Sequence, residues 1–471
     1  MMEASSRFSD ATKIFVQRCI HASCGAEFGI AERIYLCKKC GSPLEIATPL
    51  PTASEASELK TRWRERVGSL DPRDRSGVWR FRELLPFDDA ASVITLREGS
   101  TPLYDAPRCA QYSGLNALSL KHQGCNPTGS FKDTGMTTCV TQALHLGART
   151  VVCASTGNTA ASLAAYAARA GLQCAILLPR GQITASKLAQ SMDYGAMVCE
   201  IEGDFDDCMR LIQKITDDPT IYLANSINPF RIEGQKTVAY ELMEQCGWQP
   251  PDHVVVPGGN MGNSSALGKG FEELHQMGLL HRLPRLSVVQ AEGSAPLARL
   301  FAELKLESGS EGSAIPEELV PVKNPQTFAT AIKIGSPVSW KKALRSVIRS
   351  RGQIISVSER EIADAKAMIG RDGIGCEPAS ATTVAGIRKL VAAGVIAPTE
   401  SVVAVLTGHL LKDPDYTSQY HRGTLALGGR PGTANEASHP IRRSFANAPV
   451  QVAATTKAIL SVLDRSKRKE R

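Results

Sequence analysis

The stretch Asn126-Pro127-Thr128-Gly129-Ser130-Phe131-Lys132-Asp133 carries the first chemistry legible in this chain. Asn126, Pro127 and Gly129 make a turn that delivers Lys132 to the start of an apolar-patterned helix. A lysine buried at such a bend has a lowered pKa, and its neutral amine can hold an aldehyde as a Schiff base. The aldehyde cofactor this chemistry calls for is pyridoxal phosphate. A lone lysine after a Ser-Phe pair also reads as a solvated helix-start residue, so the remaining motifs must decide.

Three further stretches lie at the ends of predicted strands, and the first two open helices. Ala154-Ser155-Thr156-Gly157-Asn158-Thr159 turns sharply at Gly157. Asn158 can present its amide to a phenolic oxygen, and free N–H groups at the helix start can hold a carboxylate. An ordinary polar helix cap would look the same. Pro257-Gly258-Gly259-Asn260-Met261-Gly262-Asn263 is rich in small residues. Its successive N–H groups and the helix dipole behind them make a phosphate cradle. Val405-Leu406-Thr407-Gly408-His409 ends an apolar run, and the Thr407 hydroxyl can hydrogen-bond a pyridine nitrogen. A neutral hydroxyl does not stabilise a pyridinium as a carboxylate does, which steers chemistry towards elimination and replacement at the side chain.

Two more segments bear on the substrate. Asn225-Ser226-Ile227-Asn228-Pro229-Phe230-Arg231 and the residues up to Lys236 are read as a turn into a helix. The planar fork of Arg231 suits a phosphate; a salt bridge to Glu233 is the alternative. Lys187 is a weaker phosphate candidate. Glu377, just before Pro378 at a helix start, reads either as an acid or base facing the cofactor or as a carboxylate complementing the helix dipole.

Cys19, Cys24, Cys37 and Cys40 form a separate cluster with the spacing C-x4-C, then C-x2-C. Two such pairs can close a tetrahedron around a structural zinc, leaving no open position for water. His21 is an alternative ligand to Cys19, and a ribbon that folds without metal is the alternative to a zinc site.

These motifs need a scaffold that brings them together. From about residue 115 strand and helix patterns alternate. Strands are predicted at 115–120, 150–154, 174–178, 197–201, 221–224, 253–256 and 286–291. Helices are predicted at 133–146, 159–170, 185–194, 205–215, 236–245 and 263–277. Such alternation means parallel sheets with helices on both faces, with sites past the carboxyl ends of strands.

The lysine stretch resembles the cofactor-lysine motif of threonine synthases. Thr95-Leu96-Arg97-Glu98-Gly99-Ser100-Thr101-Pro102-Leu103 and the segment from Asn225 to Thr237 are similar to the same family's pattern. The resemblance covers roughly residues 95–460. It departs at Leu410, where the family usually has glycine, which is expected to crowd the loop; at Thr134, where arginine is commoner; and in the wide first cysteine pair. It implies an α/β fold with two parallel-sheet domains of the fold type II pyridoxal-phosphate kind, preceded by a zinc-ribbon-like segment. It implies that Lys132 is the catalytic cofactor lysine. Asn158 would lie beside the cofactor ring oxygen, and Gly258, Gly259, Asn260, Met261, Gly262 and Asn263 would cradle its phosphate. Ser155, Thr156, Gly157 and Thr159 would take the substrate carboxylate, and Ser226 and Arg231 the substrate phosphate. The implied reaction converts O-phospho-L-homoserine and water to L-threonine and phosphate. The rival readings are a β-replacing synthase using O-phosphoserine or a dehydratase on the same fold, and a catalytically silent metal- or phosphate-binding interaction protein.

At 471 residues the chain is too long for one ordinary core. The expected division is a zinc-ribbon-like segment at 1–50, a connecting arm at 51–94, and a large cofactor-binding domain from 95–140 with 235–435. A small substrate-clamping domain at 141–234 and a C-terminal helix and basic tail at 436–471 complete it. The absence of 18 successive apolar residues speaks against a membrane span. The net charge of +7 owes part of its excess to the tail after Arg465, expected to be disordered and solvated rather than a nucleic-acid arm. Thirteen cysteines without an export signal point to a reducing compartment, hence the cytoplasm. A homodimer is expected by analogy.

Overall fold

A computed structural model describes residues 14–88, 91–155, 157–181, 185–304, 315–427, 439–440 and 444–469. The chain forms two compact units, residues 1–412 and 413–471.

In the first unit, β1 (Val16–Cys19), β2 (Glu27–Gly29) and β3 (Leu44–Ala47) make an antiparallel sheet with β1 in the middle. The helix Ala53–Arg66 follows. Thr52 accepts from the Glu55 backbone N–H and the Glu55 carboxylate accepts from the Thr52 N–H, a closed capping box. Trp63 on its buried face packs edge-on to Phe81, with ring centroids 5.1 Å apart.

The remaining strands of this unit are β4 (Leu103–Asp105), β5 (Ser119–His122), β6 (Thr150–Ala154), β7 (Gln173–Pro179), β8 (Met197–Ile201), β9 (Ile221–Leu223), β10 (His253–Pro257), β11 (Arg285–Ala291), β12 (Ile354–Val357) and β13 (Val402–Leu406). They form two sheets. The small sheet runs β8-β7-β6-β9 and is parallel throughout. The large sheet runs β12-β11-β10-β13-β5-β4 and is parallel except at the edge, where β4 pairs antiparallel with β5. Every residue of β10 and β13 is buried, which is why both read as unbroken apolar runs.

Two local expectations need correction. The strand predicted at 115–120 starts only at Ser119, because Gly114 ends the helix Pro107–Ser113 in the left-handed region (φ 79°) and Leu115 turns back to hydrogen-bond Ala110. The helix predicted from Lys236 begins at Pro229. Asn228 caps it, accepting from the Phe230 N–H at 3.0 Å, and Pro229 sits at its first position. Arg231 therefore projects from a rigid first turn and not from a loop. The antiparallel edge strand and β12 carried no expectation.

The second unit contains the helices Pro414–Arg422 and Thr456–Lys469 and a short antiparallel pair, Ala426–Leu427 with His439–Pro440. Helix runs to Lys469, further into the basic tail than charge alone implied. Among the described residues no helix is long and apolar enough to cross a membrane.

Candidate active site

The loop before Lys132 leaves the carboxyl end of β5 and is stitched to the chain leaving β13. Phe131 N–H donates to the Thr407 carbonyl at 2.9 Å, and His409 N–H donates to the Gly129 carbonyl at 2.9 Å. Gly129 takes φ 84°, so a side chain there would be strained. Behind the loop Asp133 is fully buried. It accepts from the Thr128 N–H at 2.7 Å and from the Thr128 and Ser162 hydroxyls, both at 2.6 Å. Burial still lifts its carboxyl to about 6.

Lys132 opens the helix Lys132–His145, its Nζ lying 3.7 Å from the Phe131 ring centroid. Burial first, then the charge of Arg231, lowers its pKa to about 7, while Glu377 pulls the other way. Near neutral pH a large share of the amine is therefore uncharged and nucleophilic.

Glu377 is the hub of the site. It is 2% exposed and occupies the N-cap position of the helix Pro378–Ala392, with its side chain turned to other partners. One carboxylate oxygen accepts from the Asn158 amide at 2.9 Å, the other from the Thr407 hydroxyl at 3.3 Å. Gly408 has to be glycine, since a Cβ there would meet the Glu377 carboxyl carbon at 2.3 Å. Ser380, to which sequence reading gave no role, organises the same corner. Its hydroxyl accepts from the N–H groups of Thr407 at 2.9 Å and Gly408 at 3.1 Å, and lies 3.1 Å from the Thr407 hydroxyl. The Glu377-Pro378-Ala379-Ser380 spacing, one helical turn, was the signal available for it.

The glycine-rich loop leaves β10. Gly258 and Gly259 lie flat against neighbouring chain: a Cβ would come within 2.6 Å of Val288 at the first and 3.1 Å of Ile332 at the second. Met261 holds φ 65° and turns the chain into the helix Gly262–Gln276. The Asn260 amide donates to the Ser226 hydroxyl, and its oxygen accepts from the Val338 N–H at 2.6 Å. Among the described residues, both polar atoms of the buried Asn263 side chain lack a protein partner, as does the buried Ser130 hydroxyl. Unpaired polar atoms of this kind are costly unless a ligand meets them. The Asn263 pair, in the first turn of its helix, suits an anionic group seated at that N-terminus.

Arg231 is 3% exposed, and its guanidinium donates to the Ala224 carbonyl at 3.2 Å. Its Nε has no partner. Among the described residues no carboxylate pairs with it; Glu233, the alternative partner, is taken by Lys236 and Lys269. Lys236 is thereby a structural residue, which also donates to the Thr48 hydroxyl at 2.9 Å and meets Glu273.

Ser155 accepts from the Gly157 N–H at 3.3 Å, and Asn158 and Thr159 form the first turn of the helix Asn158–Ala170. Thr156 and the side chain of Lys187 lie outside the described residues. His409 stacks on His122, with ring centroids 6.4 Å apart. Burial and His409 hold the His122 pKa down, at about 4. Leu410, expected to crowd its loop, seats over Gly375, whose missing side chain leaves the room it needs.

Away from this cleft, the sulfur atoms of Cys19, Cys24, Cys37 and Cys40 all lie within 4.8 Å of one another. His21 is not among them; it faces Glu317 at 3.4 Å.

Residues 94–408 match a family model described as pyridoxal-phosphate dependent enzyme. Threonine synthase of Methanocaldococcus jannaschii is 45% identical over 402 residues, which is 85% of this chain and 93% of that one. Threonine synthase of Methanosarcina acetivorans is 44% identical over 399 residues, 84% of this chain and 92% of that one. Among solved structures, the processed form of threonine deaminase isoform 2 from Solanum lycopersicum is similar in fold, with a TM-score of 0.56 at 19% identity over 80% of this chain and 92% of that one. On these matches the chain belongs to the pyridoxal-phosphate dependent enzyme family.

Proposed function

We propose that this protein is a threonine synthase, converting O-phospho-L-homoserine and water to L-threonine and phosphate. The observation that carries the reading is Arg231. It is a cation held in a rigid helical turn, buried, without a carboxylate partner among the described residues, and near enough to Lys132 for its charge to lower the lysine pKa. A buried unpaired charge is expensive and persists where a ligand of opposite sign is to be bound. The names of the curated relatives support the same reading.

Bound in the cleft, pyridoxal phosphate supplies the electron sink that makes the substrate's α, β and γ carbons reactive. Lys132 holds the cofactor carbonyl carbon and afterwards moves protons at the substrate carbons through its Nζ. Asn158 addresses the ring oxygen. The loop Gly258, Gly259, Asn260, Met261, Gly262 and Asn263 holds the cofactor phosphate with its backbone N–H groups, where the unpaired Asn263 amide supports the assignment. The Thr407 hydroxyl, which donates to Glu377 in this structure, is the group that would hydrogen-bond the ring nitrogen of a bound cofactor. Ser155, Thr156, Gly157 and Thr159 bind the substrate carboxylate at the start of their helix. Ser226 and Arg231 grip the substrate phosphate, which serves as both handle and leaving group.

In this reading residues 95–140 with 235–435 bind the cofactor and 141–234 clamp the substrate. The ribbon at 1–50, the arm at 51–94 and the helix and tail at 436–471 flank them. We take the protein as a cytoplasmic homodimer without a nucleic-acid partner; its thirteen free cysteines support a reducing compartment.

Assays of phosphate and threonine formation from O-phosphohomoserine, beside O-phosphoserine and free serine, test the function. Threonine from the first alone is expected. Turnover of O-phosphoserine in its place transfers the protein to the β-replacing synthases.

A further inference from the structure

The cysteine cluster lies in a ribbon that touches both sheets of the first unit. On one side β3 is gripped by helices of the large sheet. Lys342 Nζ donates to the Leu44 carbonyl at 2.6 Å, Lys269 Nζ to the Ile46 carbonyl at 2.5 Å, and Arg345 to the Glu45 carboxylate at 2.6 Å. On the other side the loop between β2 and β3 reaches the small sheet. The Tyr35 hydroxyl accepts from the Leu223 N–H at 2.8 Å, and its ring meets Tyr222 edge-on at 5.8 Å. Arg33 donates to the Leu146 carbonyl at 3.2 Å, and Gln142 donates to the Ile30 carbonyl at 3.1 Å.

The four thiols stand between these grips. Cys19 and Cys24 flank the turn that leaves β1, while Cys37 and Cys40 flank the turn that enters β3. The Gly41 N–H donates to the Cys37 carbonyl at 2.8 Å, and Gly41 and Gly25 both adopt positive φ just after a cysteine. Two sulfur pairs are already 3.4 and 3.7 Å apart. A zinc–sulfur bond of about 2.3 Å sets the tetrahedral sulfur–sulfur edge at about 3.8 Å; these two pairs lie just inside that edge and all four sulfurs lie within 4.8 Å of one another, so a small rearrangement closes the site. Four thiolates around zinc leave a net charge of −2; between the last two ligands stand Lys38, which is ion-paired with Glu32 at 2.8 Å, and Lys39.

Tyr35 is two residues from the ligand Cys37. Its partner Leu223 precedes Ala224, whose carbonyl takes the Arg231 guanidinium. Ribbon, end of β9 and buried arginine are thus joined in series.

We propose that the four thiols hold one zinc ion, and that this ion braces the end of β9 in the small sheet against the helices of the large sheet. Without it the two knuckles are joined only by backbone hydrogen bonds such as Ile20 N–H to the Pro43 carbonyl at 3.2 Å, and the position of Tyr35 loosens. This holds whatever the substrate is.

Elemental analysis of the full-length, cofactor-loaded protein, prepared under reducing conditions with zinc supplied, should find one zinc per chain. The double variant Cys24→Ser/Cys40→Ser should retain less than about a tenth of it. Hydrogen–deuterium exchange then tests the brace. Stripping the metal should speed exchange of the 219–226 segment about tenfold, while the central strand His253–Pro257 stays protected. Tyr35→Phe keeps all four thiols and removes only the oxygen that Leu223 hydrogen-bonds. It should show the same faster exchange with zinc retained, and it decides the matter if the stripped protein precipitates. Iron in place of zinc, or no metal at all, overturns the site. Unchanged exchange at 219–226 in Tyr35→Phe overturns the brace.

Discussion

Asn158 and Glu377, 219 residues apart in the chain, are joined by a hydrogen bond of 2.9 Å. It ties the loop after β6, in the small sheet, to the start of the helix that covers the large one. The carboxylate also accepts from the Thr407 hydroxyl, so a single buried anion orients both groups proposed to face the cofactor. Glu377→Gln keeps the shape and removes the charge. Turnover should fall about tenfold, ~1.4 kcal/mol in the barrier. Because Glu377 raises the Lys132 pKa, its neutralisation should also move the lysine titration to lower pH. A variant with unchanged turnover and an unmoved titration would remove Glu377 from the site.

Lys132 itself fixes a pH dependence. Its pKa is about 7 in the folded chain against an ordinary 10.5. Uptake of pyridoxal phosphate by the cofactor-free protein needs the neutral amine, so its rate should climb through about pH 7 and level off above. Stability follows the same sign. Between about 7 and 10.5 the unfolded chain binds a proton that the folded one does not, so this group makes folding more favourable as pH rises through that window. Stopped-flow uptake across pH 6 to 9 checks the first point, and a flat profile contradicts it. Lys132→Ala should lose turnover by at least ~1000-fold, and borohydride treatment of the loaded wild type should place the added mass on the peptide that holds residue 132.

Arg231 should show opposed effects on function and stability. Its burial without a carboxylate costs folding energy, and the burial that lowers its pKa reports that cost. Arg231→Met should therefore leave the melting temperature equal or higher in phosphate-free buffer, while the KM for the phosphorylated substrate rises about 100-fold, ~2.7 kcal/mol. Arg231→Lys should not restore affinity, because an ammonium lacks the planar fork. Thermal melts and steady-state kinetics on the same preparations read both effects. A large drop in melting temperature for Arg231→Met would make the residue structural.

The motifs at strand ends were legible in sequence because each needs a particular local chemistry. A positive φ is met by Gly129, and close backbone approach by Gly258 and Gly259. The glycine-rich loop sits on a helix start that an apolar strand announces. Long-range partnerships were not legible. Nothing local says that Glu377 meets Asn158 and Thr407, or that the ribbon would touch both sheets. The strand expected at 115–120 slipped because apolar residues also line a helix end, and periodicity cannot separate a left-handed cap from a strand. The start of the helix at Pro229 was available in Asn228-Pro229, but the charged residues behind it were read as a turn.

Leu410 shows how a departure from a family's usual glycine is absorbed elsewhere. The residue lies next to His409, whose backbone pairs with Cys376 in an isolated bridge, and it faces Gly375 across that bridge. A Cβ on Gly375 would lie 2.8 Å from the Leu410 Cβ and 3.0 Å from its Cδ2. The Cδ2 can rotate aside, but the Cβ cannot move away without shifting the loop that carries Thr407 and Gly408. Gly375→Ala should therefore cost about 1–3 kcal/mol of stability by overpacking and reduce turnover through displacement of Thr407. Leu410→Gly alone should cost less, mainly through added freedom of the unfolded chain, about 0.4–1 kcal/mol. Combined, the two changes should be milder than their sum by about 1 kcal/mol or more, since the second removes the atoms that the first collides with. Chemical denaturation of the four proteins in the cycle measures that coupling. Strict additivity would show that Gly375 and Leu410 do not constrain each other.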